Sequence, residues 1–116
     1  MLALIEAAAN AGADMCKTQC WHPDHMVRDP AAVIQGGPWA DRNLAQLYQE
    51  CWTPFDWIPA IAEAAAKHGI EWFASVFDHY ALEVLEKNGC PRYKIASCEI
   101  VDIPLIEAVA AKGKPM

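Results

Sequence analysis

Lys17 in "MCKTQC" and Lys94 in "RYKIASCEI" each interrupt an apolar run of the kind that forms a buried strand. An ammonium is rarely buried without compensation, so each calls for a carboxylate partner or an anionic ligand. Other polar residues stand close by: Gln19 two residues after Lys17, Ser75 and Asp78 in "EWFASVFD", and Ser97 and Glu99 after Lys94. Strand alternation sets Lys17 and Gln19 on one face. Two ammoniums, two hydroxyls and an amide brought to one rim would hold a small polyanion. Each ammonium offers three donors and a full charge to phosphate or carboxylate, and hydroxyls complete the shell, while Glu99 suits a hydroxylated partner. The competing arrangement is internal, with Lys17 and Lys94 paired to Asp78 and Glu99.

A second cluster, "CKTQCWHPDH", brings Cys16, Cys20, His22 and His25 together in sequence. Its spacing is not that of the common zinc sites, whose ligands must converge on one point. In a strand over residues 13–19, Cys16 points away from the face of Lys17. Buried or half-buried thiols with loop histidines are therefore expected, and no metal site. The chain has five cysteines, an odd number that cannot all pair, as suits free thiols in a reducing compartment.

The elements that must position these residues are marked by punctuation. Four helical patterns end in glycine and lead into a short run: "ALIEAAANAG-ADMCKTQ", "AIAEAAAKHG-IEWFAS", "LEVLEKNG-CPRYKIAS" and "IEAVAAKG-KPM". Glycine just past a helix supplies a left-handed cap, and the runs that follow suit buried parallel strands. Asp56 and Asp102 are read as N-caps, with Pro59 and Pro104 in the first helical turns. Helices alternating with strands predict an α/β fold with a parallel sheet. The segment from Cys20 to about Asn43 breaks the rhythm and reads as a lid or contact surface, followed by a helix over "NLAQLYQECW". Trp21 and Trp39 within it could stack on a sugar, but loop aromatics are expected to pack.

Composition excludes other classes. The formal net charge of −6 and the lack of a basic stripe disfavour nucleic acid. No segment approaches the roughly 18 apolar residues of a membrane helix, and the start lacks a basic signal region, so a cytoplasmic protein without membrane partners is expected. The chain begins within a helix and reaches Met116 where another strand is due. A closed barrel of alternating strands and helices needs eight strands and roughly 250 residues, so 1–116 is expected to form one partial domain with open sheet edges.

The segments "CKTQCWHPDHMV", "EWFASVFD" and "RYKIASCEI…PLIEAVAAKGKP", in this order, resemble the N-acetylneuraminate (sialic acid) synthase family, which includes the legionaminic and pseudaminic acid synthases. Its most specific parts are K-x-Q, S-x-F-D and KIAS-x-E-I. The resemblance implies a fragment of a (β/α)8 TIM barrel, lacking the first strand, the later strands and a carboxy-terminal antifreeze-like domain. It further implies an enzyme, homodimeric as a whole, that condenses phosphoenolpyruvate with N-acetylmannosamine or a related amino sugar, giving a nonulosonic acid and phosphate. By position, Lys17, Ser75, Lys94 and Ser97 would hold phosphoenolpyruvate, and Gln19 and Glu99 the sugar. A divalent metal, Mn or Mg, is expected in the parent with ligands outside this chain; His22, His25, His68 and His79 do not match the family's metal positions. Val76 and Cys98 replace the family's usual proline and glycine, which bears on the sugar accepted more than on the reaction. The isolated chain is expected to be inactive; the alternative is a non-catalytic half-barrel that self-assembles or binds a complementary fragment.

Overall fold

Alanine- and leucine-rich segments closed by glycine become helices, and the short runs after three of them become strands. The computed structural model describes residues 1–116 as α1 (Leu2–Asn10), β1 (Met15–Cys20), α2 (Leu44–Cys51), α3 (Ile58–Lys67), β2 (Glu71–Val76), α4 (His79–Lys87), β3 (Tyr93–Ile95) and α5 (Ile103–Ala110). Short 3-10 turns occupy Pro23–His25, Phe55–Trp57 and Ser97–Glu99. At Gly69 and Gly89 the backbone takes φ of 71° and 66°, and the next residues return their N–H groups to Ala65 and Leu85 at 3.1 and 3.0 Å. These bonds satisfy carbonyls at the helix end and aim the chain into the strand.

The helix starts follow the expected chemistry with one exception. Asp102 accepts from the Leu105 N–H at 3.1 Å, and Pro104 and Pro59 fall in first turns. Asp56 is not a cap. The Trp57 N–H closes onto the Pro54 carbonyl at 2.9 Å, which places Asp56 inside a 3-10 turn, and α3 begins at Ile58 without a side-chain cap.

The three strands form one parallel sheet in the order β1-β2-β3. The helices cover one of its faces. Thr18, Cys20, Trp72, Ala74, Val76 and Tyr93 are buried there, against Ile61 of α3, Leu82 and Leu85 of α4 and Leu105 of α5. Fully burying an aliphatic side chain contributes about 1.5–3 kcal/mol, so this face sets the fold's stability. Within it the Trp72 indole N–H donates to the Thr18 hydroxyl at 2.9 Å, tying β1 to β2 through side chains. The opposite face leaves Met15, Lys17, Gln19 and Lys94 exposed. No helix is long and apolar enough to cross a membrane.

The third strand is shorter than its sequence reads. It ends at Ile95, because the Glu99 N–H bonds locally to the Ala96 carbonyl at 3.0 Å and draws Ser97–Glu99 into a turn. At the other end of β3, the Lys114 ammonium meets Glu86 Oε1 at 2.5 Å and the Cys90 carbonyl at 2.9 Å, and the Tyr93 hydroxyl donates to the same carboxylate. The Tyr93 N–H donates to the Pro115 carbonyl at 3.0 Å, so the chain after α5 starts to run beside β3.

Two outcomes follow for stability. Thr18→Val keeps the shape but leaves the buried Trp72 N–H unpaired, and should cost about 1–3 kcal/mol in urea unfolding. Hydrogen bonds from Lys114 and then Tyr93 hold the Glu86 carboxyl below its ordinary range. A depressed carboxylate stabilises above its unfolded pKa and loses that contribution as pH falls through its folded one. Lys114→Met should therefore destabilise at neutral pH, with the difference from the parent shrinking below about pH 4; a pH-independent difference would exclude the ion pair as its cause.

Candidate anion-binding site

Register builds the site. Partners in a parallel ladder share a face, and Gln19 lies opposite Ser75, which lies opposite Lys94, so one row crosses all three strands. Lys17 sits one step below the row, opposite Phe73. The row occupies the face that the helices leave bare. Ser75 is the buried member, 1% exposed, and its hydroxyl oxygen has no hydrogen-bond partner.

Neither lysine has a carboxylate partner. The Lys94 ammonium donates only to the Ile95 carbonyl at 3.2 Å, and Lys17 makes no ion pair. The pKa of Lys17 is lowered by partial burial first and by the nearby Lys94 charge second, as expected of two cations on one surface. The internal pairing with Asp78 and Glu99 does not form. Asp78 caps α4, accepting from the Ala81 N–H at 2.6 Å, and its other oxygen meets His25 Nδ1 at 3.1 Å. Glu99 makes no ion pair either. Lys94 is also exposed rather than buried, since nothing covers its face.

Ser97 and Glu99 stand apart from the row. They belong to the turn beyond β3, above the carboxyl end of the sheet, where Ser97 is exposed and Glu99 half-buried. Lys17, Gln19, Ser75 and Lys94 thus share the sheet face, and the last two expected residues approach from a loop.

Just past the carboxyl ends of β1 and β2 stands a group of aromatics that sequence reasoning did not assign to the site. Trp21 lies two residues beyond Gln19 and Phe77 two beyond Ser75, and their ring centroids are 5.4 Å apart. Tyr48 of α2 stands 5.9 Å from Trp21. Its hydroxyl pKa is raised by burial and then by Cys98, Cys51 and Glu99, which sets α2 beside the Ser97–Glu99 turn. The i+2 spacing of residues 17, 19, 21 and 73, 75, 77 was the available signal.

The long segment after β1 is ordered locally. Val33 bridges Asn43, the Asn43 side chain caps α2 through the Gln46 N–H at 2.9 Å, and Arg42 meets Glu50 at 2.5 Å. Trp21 packs as expected, but Trp39 does not: it is 52% exposed, with only the Arg42 guanidinium 5.9 Å from its ring centre. It rides on the outer part of the excursion, beyond the reach of the core.

Cys16, Cys20, His22 and His25 do not converge, and no three His, Cys, Asp or Glu side chains form a metal-binding group. His22 packs among His25, Trp52, Phe55 and Tyr80. Burial, then Asp78 and Cys90, pushes the Cys20 thiol up to about 12, keeping it protonated and a poor ligand. All five cysteines are unpaired.

The residues 4–116 match the model of the NeuB family. The chain is 42% identical over 115 residues to the pseudaminic acid synthase of Helicobacter pylori, covering 97% of this chain and 34% of that protein. It is 27% identical to the N,N'-diacetyllegionaminic acid synthase of Legionella pneumophila, covering 97% and 33%. Among solved structures, the N-acetylneuraminic acid synthetase of Leptospira borgpetersenii superposes with a TM-score of 0.83 at 27% identity, over 97% of this chain and 36% of that one. The spore coat polysaccharide biosynthesis protein SpsE of Bacillus subtilis does so with a TM-score of 0.72 at 32% identity, over 99% and 30%. The chain thus spans about a third of the length of the relatives it matches. Its three parallel strands and their helices correspond to part of the TIM barrel of those homologues. With the polar row, the lysines and the helix-backed parallel sheet all in register, the chain belongs to the NeuB family.

Proposed function

We propose that the protein condenses phosphoenolpyruvate with an open-chain N-acetylmannosamine or a related amino sugar, forming a nonulosonic acid and inorganic phosphate, and that this chain supplies the cradle for phosphoenolpyruvate. The observation that carries the reading is the pair Lys17 and Lys94, both without a carboxylate partner, on a face that also holds the unpartnered Ser75 hydroxyl. The names of the relatives reported above, of sugar-acid or polysaccharide biosynthesis, support the product class.

In this reaction the methylene carbon of phosphoenolpyruvate attacks the sugar aldehyde, a carbon–carbon bond forms and the aldehyde oxygen takes a proton. Water adds at the carbon bearing phosphate, and the phosphate leaves with its bridging oxygen as the keto group forms. Lys17 and Lys94 hold the phosphate and carboxylate oxygens, and Ser75 and Ser97 donate to the same anion. Gln19 and Glu99 meet the sugar hydroxyls. Positioned donors of this kind act on both orientation and charge, effects that commonly lower a barrier by several kcal/mol. A divalent metal bound by the whole enzyme would polarise the aldehyde. This chain offers no ligand set for it, so no step assigned to these residues runs through a metal.

The uncovered sheet face also favours a second reading, in which the chain is a non-catalytic half-barrel closed by self-association. Sedimentation across a concentration series separates the two: a concentration-dependent assembly of the 116-residue chain supports it, and a persistent monomer rejects it.

The 116-residue chain alone should release no phosphate from phosphoenolpyruvate, N-acetylmannosamine and Mn²⁺. Sustained turnover would contradict this. In the full-length protein, Lys94→Met should raise the KM for phosphoenolpyruvate roughly ten- to hundredfold, the range expected for losing a charge-assisted contact. An unchanged KM in a variant that melts like the parent would remove Lys94 from the cradle.

A further inference from the structure

Above the polar row, the mouth of the site holds a donor that the anion cradle does not use. Trp21 and Phe77 are the first residues past β1 and β2, and strand alternation carried one residue further would set both rings on the side of Lys17, Gln19 and Ser75. Their edge contact, 5.4 Å between centroids at 77°, agrees with that placement. Tyr48 closes the group from α2, 5.9 Å from Trp21 at 85°.

The two buried tryptophans of this chain differ in one respect. Trp72, 4% exposed, gives its indole N–H to Thr18. Trp21, 6% exposed, has a buried N–H that no acceptor receives. Buried indoles ordinarily find a partner, so this one is a donor held in reserve beside a substrate surface. The group that fits it needs one acceptor oxygen and a small apolar end to lie among aromatic rings. An acylamino group has both. A lone hydroxyl lacks the apolar end, and phosphate or carboxylate is drawn to the lysines instead.

Resting on the condensation reading above, we propose that Trp21 determines specificity for the acylamino group of the sugar: its indole N–H donates to the acyl carbonyl oxygen, with Phe77 and Tyr48 around the acyl carbon chain. Tyr48 packs edge-on against Trp21. The helix that carries it buries none of its own side chains and is held by the Asn43 cap and the Arg42–Glu50 pair. Phosphoenolpyruvate, bound below at the lysines, does not touch Trp21.

The test uses the full-length protein and its Trp21→Phe variant, which keeps an aromatic ring and loses the N–H. The variant should raise the KM for N-acetylmannosamine about tenfold and leave that for phosphoenolpyruvate unchanged, as for a substrate-specific hydrogen bond. Its preference for N-acetylmannosamine over mannosamine should fall by a similar factor. The Trp21 indole resonance, assigned by its absence in the variant, should shift when N-acetylmannosamine is added and stay put with phosphoenolpyruvate. Trp21→Tyr supplies the assignment if Trp21→Phe does not fold. A resonance unmoved by saturating N-acetylmannosamine overturns the proposal, as does an equal rise in both KM values, the mark of a structural prop. If the parent releases no phosphate with any amino sugar, the condensation reading fails by itself, and the resonance still decides the role of Trp21.

Discussion

The structure depends on a parallel register that is covered on one side only. Pairing Gln19 with Ser75 and Ser75 with Lys94 fixes which residues share a face, because a slip of one residue would exchange every inward and outward side chain. The apolar partners on the other face hold that register. Thr18 and Trp72 are hydrogen-bonded within it, and Ala74, Val76, Ile61 and Leu85 are almost completely buried there. The cost of slipping is the exposure of that core, so the polar row is positioned by the apolar residues of the opposite face.

One-sided cover also explains why two like charges can stand on neighbouring strands. In a closed apolar interior, Lys17 and Lys94 would each need a carboxylate. On an open face water solvates them, and no carboxylate pairs with either. Asp78 is the clearest case. It is spent on the start of α4 and on His25, so the carboxylate nearest in sequence to the second strand's end supports the scaffold and leaves the cations free.

The rim above the row is built differently from its floor. The floor comes from strands whose spacing is set by backbone hydrogen bonds, whereas the rim comes from the segment after β1, α2 and the Ser97–Glu99 turn, joined by aromatic contacts and a few polar ties. A strand-built base and a loop-built rim suit a family whose members carry the names of different sugar-acid synthases. Loops set on a fixed sheet are the ordinary means of changing a ligand while keeping the chemistry beneath it.

Much of this was legible in the residues themselves. The helix–glycine–strand rhythm, the Asp102 cap and the shared face of Lys17 and Gln19 follow from local geometry, and the motifs K-x-Q, S-x-F-D and KIAS-x-E-I pointed to the family. Local patterns also misled. Asp56 has the chemistry of a cap but lies inside a 3-10 turn, and the run from Arg92 to Ile100 has the composition of a long strand yet leaves the sheet after Ile95. Which strand neighbours which, that Lys94 aligns with Ser75 and Gln19, that Asp78 pairs with His25 and neither lysine has a carboxylate, and that Trp21 meets Phe77 and Tyr48 were decided by tertiary structure alone. Period and capping depend on residues a few positions apart, while register and charge pairing join residues from 19 to 56 positions apart, whose distance no local pattern encodes.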